Sequence, residues 1–370
     1  MKLELLAAQR TAAVQAFPVE LPDLPLDELR ARLGREQVYK LSFNENPYGP
    51  SPAAVKAVQE AAAALHRYPD SYGRALCREL AAFYRLSPEQ FLLANGADEV
   101  INLVAMAFLD PGDEVLIPSP TFGSYAAAAH LAGAVPVPVP LTDYRIDLEK
   151  VAAAVTEKTK LIFICNPNNP TGTAFPAPEL LPFLRRLPER VLVAVDEAYN
   201  EYTDDPAKYT AVPLINAEPH LLVIRTFSKI YGLAAARVGY LIADAGLVAR
   251  VHRVRPPFNA GVLGQAAALA AFRDRAYVET MQKYNREQRQ WLTEQLTTCG
   301  WRVIPSQSNF LLVDTGEDSR EVYHYLVEQG IIVRPGHGFN LPNCLRITVG
   351  RPEENMALVG ALMSKNTSKS

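Results

Sequence analysis

The sequence predicts an α/β fold: a mostly parallel open sheet with helices on both faces, followed by a smaller α+β domain at the C-terminus. Short apolar runs alternate with helical stretches through the middle of the chain, a spacing typical of βαβ units. Two of these runs, residues 160–164 and 191–195, are rich in β-branched residues and show no polar alternation. Strands covered on both faces, as in parallel sheets, have that pattern.

The predicted elements follow in order along the chain. Strands are predicted at residues 91–94, 114–117, 135–139, 160–164, 191–195, 221–224 and 238–242, with the first helices at 98–109 and 125–131. Prolines interrupt the strand at 135–139, which indicates an edge or a bulge. One long helix is predicted from residue 264 to about 296. The C-terminal part is predicted to form strands at 309–313, 331–333 and 345–349 and helices at 320–328 and 353–363.

These elements predict three parts of the chain. Residues 1–40 are expected to form an N-terminal arm with one helix, Leu26–Leu33. Residues 41–260 would form the large domain, and residues 261–370 a small domain with its linking helix. The length of 370 residues suits about two domains.

The composition excludes several classes of protein. Lys and Arg number 37 and Asp and Glu 40, so the net charge of −3 argues against a nucleic-acid binder. No apolar run approaches the roughly 18 residues of a membrane span, and the start lacks the basic region of a secretory signal. We therefore expect a cytoplasmic protein without membrane or nucleic-acid partners. The cysteines are far apart and form no C-x-x-C pair, so neither a metal site nor a disulfide framework is expected: Cys77, Cys165, Cys299 and Cys344.

Polar side chains follow four of the predicted strands. Open α/β sheets bind ligands at the carboxyl ends of their strands, so these residues are expected to converge. Asn, Asp, Tyr, Ser, Lys and Arg together suit an aromatic, phosphorylated cofactor that carries a carbonyl group. The four segments are Asn95-Gly96-Ala97-Asp98-Glu99, Asn166-Pro167-Asn168-Asn169-Pro170-Thr171-Gly172, Asp196-Glu197-Ala198-Tyr199, and Arg225-Thr226-Phe227-Ser228-Lys229 with Arg237 beyond it.

The order of these motifs resembles the fold-type-I pyridoxal-phosphate (PLP) aminotransferases. Three further segments resemble, more narrowly, the histidinol-phosphate aminotransferases: Asn44-Glu45-Asn46-Pro47-Tyr48-Gly49-Pro50, Arg67-Tyr68-Pro69-Asp70 and Leu345-Arg346-Ile347-Thr348-Val349-Gly350. The matches run from about residue 40 to residue 352. The resemblance implies the PLP-dependent transferase fold and PLP as cofactor. It also implies a transaminase of histidine biosynthesis that acts on histidinol phosphate and 2-oxoglutarate.

The resemblance assigns roles around the cofactor ring. Lys229 would hold PLP as a Schiff base, because only a primary amine can do so, and would later shuttle the substrate proton. Asp196 would pair with the protonated ring nitrogen. Tyr199 and Asn169 would hydrogen-bond the phenolic oxygen, and Phe122 would stack on the ring.

Further residues would hold the cofactor phosphate. The helix that begins after Gly96 offers the backbone N–H groups of Ala97 and Asp98. Hydroxyls and a forked cation would come from three side chains: Thr226, Ser228 and Arg237. Tyr68 matches a family tyrosine that reaches the phosphate from the other subunit, so the resemblance implies a homodimer with a shared active site.

The substrate side leaves alternatives open. Arg334 and Arg346 would bind a carboxylate or a phosphate, and Asn46 and Tyr48 would complete the pocket. Many family members carry a tyrosine for the substrate phosphate in the N-terminal arm, where this chain has residues 17–20, Phe-Pro-Val-Glu. An aromatic amino acid is therefore an alternative substrate, which the aromatic residues of the pocket also suit: Phe43, Tyr48 and Phe122. A PLP-dependent lyase similar to threonine-phosphate decarboxylase is a more distant alternative.

Overall fold

The structure is a computed structural model that describes residue 14 and residues 24–367. The strands, in chain order, are β1 (Tyr39–Lys40), β2 (Phe91–Ala94), β3 (Glu114–Ser119), β4 (Val135–Pro140), β5 (Thr159–Cys165), β6 (Leu192–Asp196), β7 (Leu221–Thr226), β8 (Gly239–Ala243), β9 (Arg302–Val303), β10 (Phe310–Asp314), β11 (Ile331–Ile332), β12 (Arg334–Pro335) and β13 (Cys344–Thr348). The helices are α1 (Leu26–Leu33), α2 (Pro52–Ala61), α3 (Arg74–Tyr84), α4 (Ala97–Phe108), α5 (Ser124–Ala132), α6 (Leu148–Ala153), α7 (Leu180–Arg186), α8 (Pro206–Tyr209), α9 (Ala245–Val251), α10 (Val262–Arg273), α11 (Arg275–Thr298), α12 (Ser319–Glu328) and α13 (Pro352–Thr367).

The central layer is a seven-stranded sheet in the order β2-β8-β7-β6-β5-β3-β4. The pairs from β7 across to β4 are parallel, whereas β8 runs antiparallel to both of its neighbours. The prediction of a mostly parallel sheet is therefore confirmed. The proline-interrupted strand β4 lies at the edge of the sheet, as predicted. Proline has no backbone N–H to donate, and an edge strand tolerates this because one of its sides has no neighbouring strand.

Both faces of this sheet are covered. Because side chains alternate along a strand, Ile162 and Ile164 of β5 belong to one apolar cluster, while Leu161 and Phe163 belong to another on the opposite face. Full burial of β5 and β6 on both sides explains why their sequences lack polar alternation.

A four-stranded antiparallel sheet in the order β12-β13-β10-β9 forms the C-terminal layer. The predicted helix Leu26–Leu33 is confirmed, and it packs through Leu29 against Ile332. Strand β1 pairs in parallel with β11, so residues 39–40, like α1, lie against the C-terminal elements. The proposed division at residues 40 and 260 stays a prediction.

Two predicted elements of the C-terminal half are wrong in detail. The single helix from 264 to about 296 is two helices, α10 and α11, because Asp274 leaves helical geometry (φ −82°, ψ 71°) and caps the N–H of Tyr277. The strand predicted at 331–333 ends at Ile332 as β11, and a separate strand, β12, begins at Arg334 and joins a different sheet.

None of the helices in the described part of the chain combines the length and the apolar character needed to cross a bilayer.

Candidate active site

One cavity of about 380 Å³ lies beyond the carboxyl ends of β5, β6 and β7. Parallel neighbours end at the same edge of the sheet, so the polar segments that follow them are brought together there. The cavity is lined by Phe43, Asn44, Ala97, Asp98, Thr121, Phe122, Gly123, Tyr125, Cys165, Asn169, Asp196, Ala198, Tyr199, Thr226, Ser228, Lys229, Arg237, Arg334, Gly338, Phe339 and Arg346.

Lys229 reaches into the cavity from the turn after β7. Its Nζ donates a hydrogen bond to the carbonyl oxygen of Phe43 at 3.1 Å. Desolvation, with a smaller contribution from Arg346, lowers the pKa of Lys229 to about 8. Asn46, which lies outside the cavity, stabilises the turn that carries Lys229: its Nδ2 donates a hydrogen bond to the carbonyl oxygen of Ile230 at 2.8 Å. The lysine amine is thus positioned, and it can gain or lose a proton near neutral pH.

Asp196 ends β6 and is buried. Its Oδ2 accepts a hydrogen bond from the hydroxyl of Tyr125 at 2.7 Å, and Oδ1 accepts one from the N–H of Ala198 at 3.0 Å. Burial raises the pKa of Asp196 to about 6, although both hydrogen bonds oppose that change. Tyr125 was not among the site residues predicted from the sequence. Its position at the start of α5, three residues after Phe122, was the available signal.

Tyr199 and Asn169 line the cavity from the ends of neighbouring strands, as predicted. The Tyr199 hydroxyl accepts a hydrogen bond from Asn44 Nδ2 at 3.1 Å. Burial raises the pKa of Tyr199 above that of a free phenol, so the phenol keeps its hydrogen. Asn169 Oδ1 accepts from Arg346 Nη1 at 2.7 Å. Asn44 was not singled out as a site residue from the sequence.

A cluster of donors surrounds the N-terminus of α4. Arg237 Nη1 donates to Ser228 Oγ at 3.3 Å, and Nη2 lies 3.2 Å from Asp98 Oδ2. The hydroxyl of Thr226 donates to Ser228 Oγ at 3.0 Å. Gly96 is required here, because its φ is +86° and a Cβ would collide with the Arg237 guanidinium. This cluster can hold a dianionic phosphate.

Phe122 was predicted to stack on the cofactor ring. Phe122 lines the cavity and packs edge-on against Tyr125, with ring centroids 5.7 Å apart. Tyr125 in turn stacks on Phe163 of β5. This packing fixes the orientation of Phe122, so its exposed face can cover a flat ligand.

Arg346 is buried on the opposite side of the cavity. Its guanidinium donates to Asn169 Oδ1 and to the carbonyl oxygen of Ser42, and it lies over the rings of Phe310 and Phe339. Burial lowers the pKa of Arg346 to about 10. In residues 24–367 no carboxylate pairs with it, so an anionic ligand would complete its surroundings. Arg334 lines the same wall.

The structure does not bring every predicted site residue into the cavity. Asn46 and Tyr48 are not among the residues that line the cavity. Tyr48 packs instead against Tyr284, with ring centroids 5.2 Å apart. In the single chain Tyr68 is also outside it, 83% exposed and stacked on Phe258. The arm segment 17–20 lies outside the described residues.

The residues present fit PLP. This cofactor requires a carboxyl group for its ring nitrogen, a primary amine, a cluster of donors for its phosphate and an aromatic side chain beside its ring. Within residue 14 and residues 24–367 no group of three His, Cys, Asp or Glu side chains is placed to hold a metal ion. All four cysteines are described, and none forms a disulfide.

Comparisons with known proteins identify the family of this chain. The chain belongs to the family of class I and II aminotransferases, which matches residues 36–362. Within that family it is similar to the histidinol-phosphate aminotransferase of Brevibacillus brevis, with 43% identity over 93% of this chain and 95% of the relative. The enzyme of that name from Symbiobacterium thermophilum is 41% identical, over 96% of this chain and 98% of its own.

Solved structures extend the likeness to the fold. A crystal structure of histidinol-phosphate aminotransferase from Sinorhizobium meliloti in complex with pyridoxal-5'-phosphate has a TM-score of 0.89 at 29% identity, covering 99% of this chain and 100% of that one. Aspartate aminotransferase from Thermus thermophilus with maleate has a TM-score of 0.83 at 26% identity, covering 96% and 98%. The predicted PLP-dependent transferase fold is confirmed.

Proposed function

We propose that this chain is a PLP-dependent transaminase that exchanges the amino group of histidinol phosphate with 2-oxoglutarate in histidine biosynthesis. The observation that carries the proposal is one cavity that is lined by Lys229, Asp196 and the buried Arg346. The similarity to the histidinol-phosphate aminotransferases supports the choice of substrate.

The chain supplies the groups that a transamination needs. PLP, when bound, supplies an aldehyde for a primary amine and a ring that accepts electrons. Asp196 would hold a proton on the ring nitrogen, and Tyr199 would donate a hydrogen bond at the phenolic oxygen. Lys229, with its lowered pKa, would take a proton from the substrate carbon that carries the amino group and return it to the cofactor carbon on the other side of the shared nitrogen, a 1,3-proton shift. The Arg237 cluster would hold the cofactor phosphate.

Arg346 would allow two different substrates to use one site. A guanidinium binds a carboxylate or a phosphate through two parallel hydrogen bonds. Its present contacts are neutral oxygens and aromatic rings, so the anion of either substrate would find an unneutralised charge. Arg334, on the same wall, would add a second cation.

The proposal includes a cytoplasmic homodimer with a shared active site. Tyr68 projects from the surface of the single chain, which suits a residue that reaches a partner's cavity. The absence of disulfides among the four cysteines is consistent with a reducing compartment.

A substrate panel tests the proposed function. The catalytic efficiency (kcat/KM) is measured with 2-oxoglutarate for histidinol phosphate, phenylalanine and tyrosine. We expect a clear preference for histidinol phosphate, and a preference for the aromatic amino acids would overturn the assignment. Half-transamination with glutamate alone separates a transaminase from a decarboxylase, which should not sustain it.

A further inference from the structure

The Tyr199 hydroxyl stands in a short buried chain of hydrogen bonds. The backbone N–H of Asn44 donates to Thr348 Oγ1 at 2.9 Å, and Thr348 Oγ1 donates to Asn44 Oδ1 at 3.1 Å. Asn44 Nδ2 then donates to the Tyr199 hydroxyl oxygen at 3.1 Å. All three side chains are nearly inaccessible, with exposures of 1%, 4% and 5% for Asn44, Thr348 and Tyr199.

The direction of this chain is fixed at its first bond. A backbone N–H can only donate, so Thr348 Oγ1 must accept from Asn44 N and has one hydrogen left to give. That hydrogen goes to Asn44 Oδ1, which sets the orientation of the amide and turns Nδ2 toward Tyr199. The phenol oxygen must therefore accept from Asn44, and its own hydrogen has to point elsewhere.

The only open direction is the cavity. Tyr199 lines it, and within residues 24–367 no protein group accepts the phenol hydrogen. The ring itself is held edge-on by Phe310, with centroids 5.1 Å apart, so the hydroxyl cannot swing away with the ring. The amide is equally fixed, because the backbone of Asn44 has φ +56° and its carbonyl accepts from Asn309 Nδ2 at 2.9 Å. Asparagine tolerates this left-handed conformation better than most residues.

We infer that Asn44, oriented by Thr348, is a positioning residue that makes Tyr199 an obligatory hydrogen-bond donor into the cofactor cavity. The inference rests on the proposed function, because the acceptor in the cavity would be the phenolic oxygen of PLP. A hydrogen-bond donor at that oxygen lowers the pKa of the nitrogen that joins Lys229 to PLP, because the oxygen then stabilises a proton on that nitrogen less well. Asn44 would in this way help to keep Lys229 bonded to PLP in the reactive, unprotonated form near neutral pH.

Asn44→Asp tests the inference. Aspartate keeps the shape and the left-handed backbone, but its carboxylate can only accept, so the Tyr199 hydrogen would turn away from the cavity. The readout is a pH titration of the visible absorbance of PLP bound at Lys229. We expect the pKa of that absorbance to rise by about one pH unit, with cofactor affinity reduced in parallel.

A double-mutant cycle with Tyr199→Phe tests whether Asn44→Asp acts through the direction of the Tyr199 hydrogen bond or through the charge of the new carboxylate. If Asn44 acts through the phenol, Asn44→Asp in the Tyr199→Phe background should retain less than about a third of its effect on that pKa. An equal rise in both backgrounds would mean that the new carboxylate acts by its charge alone, and would overturn the inference. If the pKa of the absorbance does not rise in Asn44→Asp with Tyr199 intact, the inference is overturned as well.

Thr348→Val supplies a variant without any new charge. It frees the amide to turn over, so the same pKa should rise by a smaller amount, and again only when Tyr199 is present. Should Asn44→Asp not fold, this variant decides, and an unchanged pKa contradicts the inference. Thr203→Val is the matched control, since Thr203 is buried and bonds only to Asn200 outside the cavity. A wild-type protein without Lys229-dependent absorbance would instead contradict the proposed function.

Discussion

Tyr125 donates its hydroxyl hydrogen to Asp196 across 2.7 Å, and both side chains are buried at the base of the cavity. Burial raises the pKa of Asp196 to about 6, and the Tyr125 hydrogen bond lowers it only in part. Without a cofactor, the protein therefore maintains a carboxylate that is unfavourable to ionise. A cationic ring nitrogen would remove that penalty, so the same group that weakens the unloaded protein strengthens cofactor binding.

Asp196→Asn should stabilise the unloaded protein. Because the folded pKa of Asp196 lies above the ordinary value, this group favours the folded state below about pH 4, and that benefit is lost as pH rises to about 6. Above that pH we expect the variant to be more stable by up to about 3 kcal/mol in urea unfolding. Asp110→Asn, at an exposed position, is the control. Equal stabilities of wild type and Asp196→Asn at pH 7.5 would contradict this account, and with PLP present the order should reverse.

Lys229→Ala should abolish turnover. Without the amine the protein cannot form a covalent link to PLP, and the proton transfer at the substrate carbon loses its base, which is worth about 100- to 10,000-fold. Borohydride reduction followed by peptide mass analysis should label Lys229 in the wild type and nothing in the variant. Lys56→Ala, on the exposed face of α2, should keep both the label and the activity. Full turnover by Lys229→Ala would remove the basis of the proposed mechanism.

The face of the sheet behind Asp196 carries a buried group of charges. Glu197 Oε2 lies 2.7 Å from Arg225 Nη2, and Glu201 Oε1 lies 2.8 Å from Arg225 Nη1. Since side chains alternate along a strand, these charges join β6 and β7 on one face while Asp196 and Thr226 face the cavity. The ion pairs therefore hold together the two strand ends that carry cofactor residues.

Arg225→Met should be strongly destabilising, because it leaves two carboxylates buried without their cation. We expect a loss of about 3–5 kcal/mol in the free energy of unfolding, measured by urea denaturation. Arg186→Met is the matched control, because Arg186 also pairs with a glutamate, Glu149, but both are exposed. Its loss should be much smaller, because solvent screens an exposed pair. Similar losses in both variants would show that burial does not decide the strength of the Arg225 pairs.

Mixed subunits test whether Tyr68 works in the partner's site. Tyr68→Ala and Lys229→Ala are each expected to be weakly active or inactive alone. If each site combines Tyr68 of one subunit with Lys229 of the other, random mixing of equal amounts should restore about a quarter of the wild-type sites. Refolding the two variants together and measuring kcat checks this, and refolding each variant separately is the control. No recovery in the mixture would contradict a shared site.

The sequence predicted the large sheet well, because its signals are local. Continuous apolar runs such as β5 and β6 show burial on both faces, and the prolines of β4 indicate an edge or a bulge, of which the structure shows the edge. The predictions were weaker where geometry depends on distant packing. The break at Asp274 and the division of residues 331–335 between two sheets are decided by which neighbours are available, and the residues themselves carry no clear signal.

By itself the sequence determined the α/β class, the order of the strand ends, and the residues that lie directly beyond them, such as Lys229 and Asp196. Each follows its strand within a few residues, so the parallel topology delivers it to one edge. Only the tertiary structure decided the partners of these groups. Asn44 and Thr348 are 304 residues apart, and Tyr125 and Asp196 are 71 apart, yet they fix the hydrogens and charges of the cavity. Such contacts form only when separate elements pack together, and no local pattern encodes them.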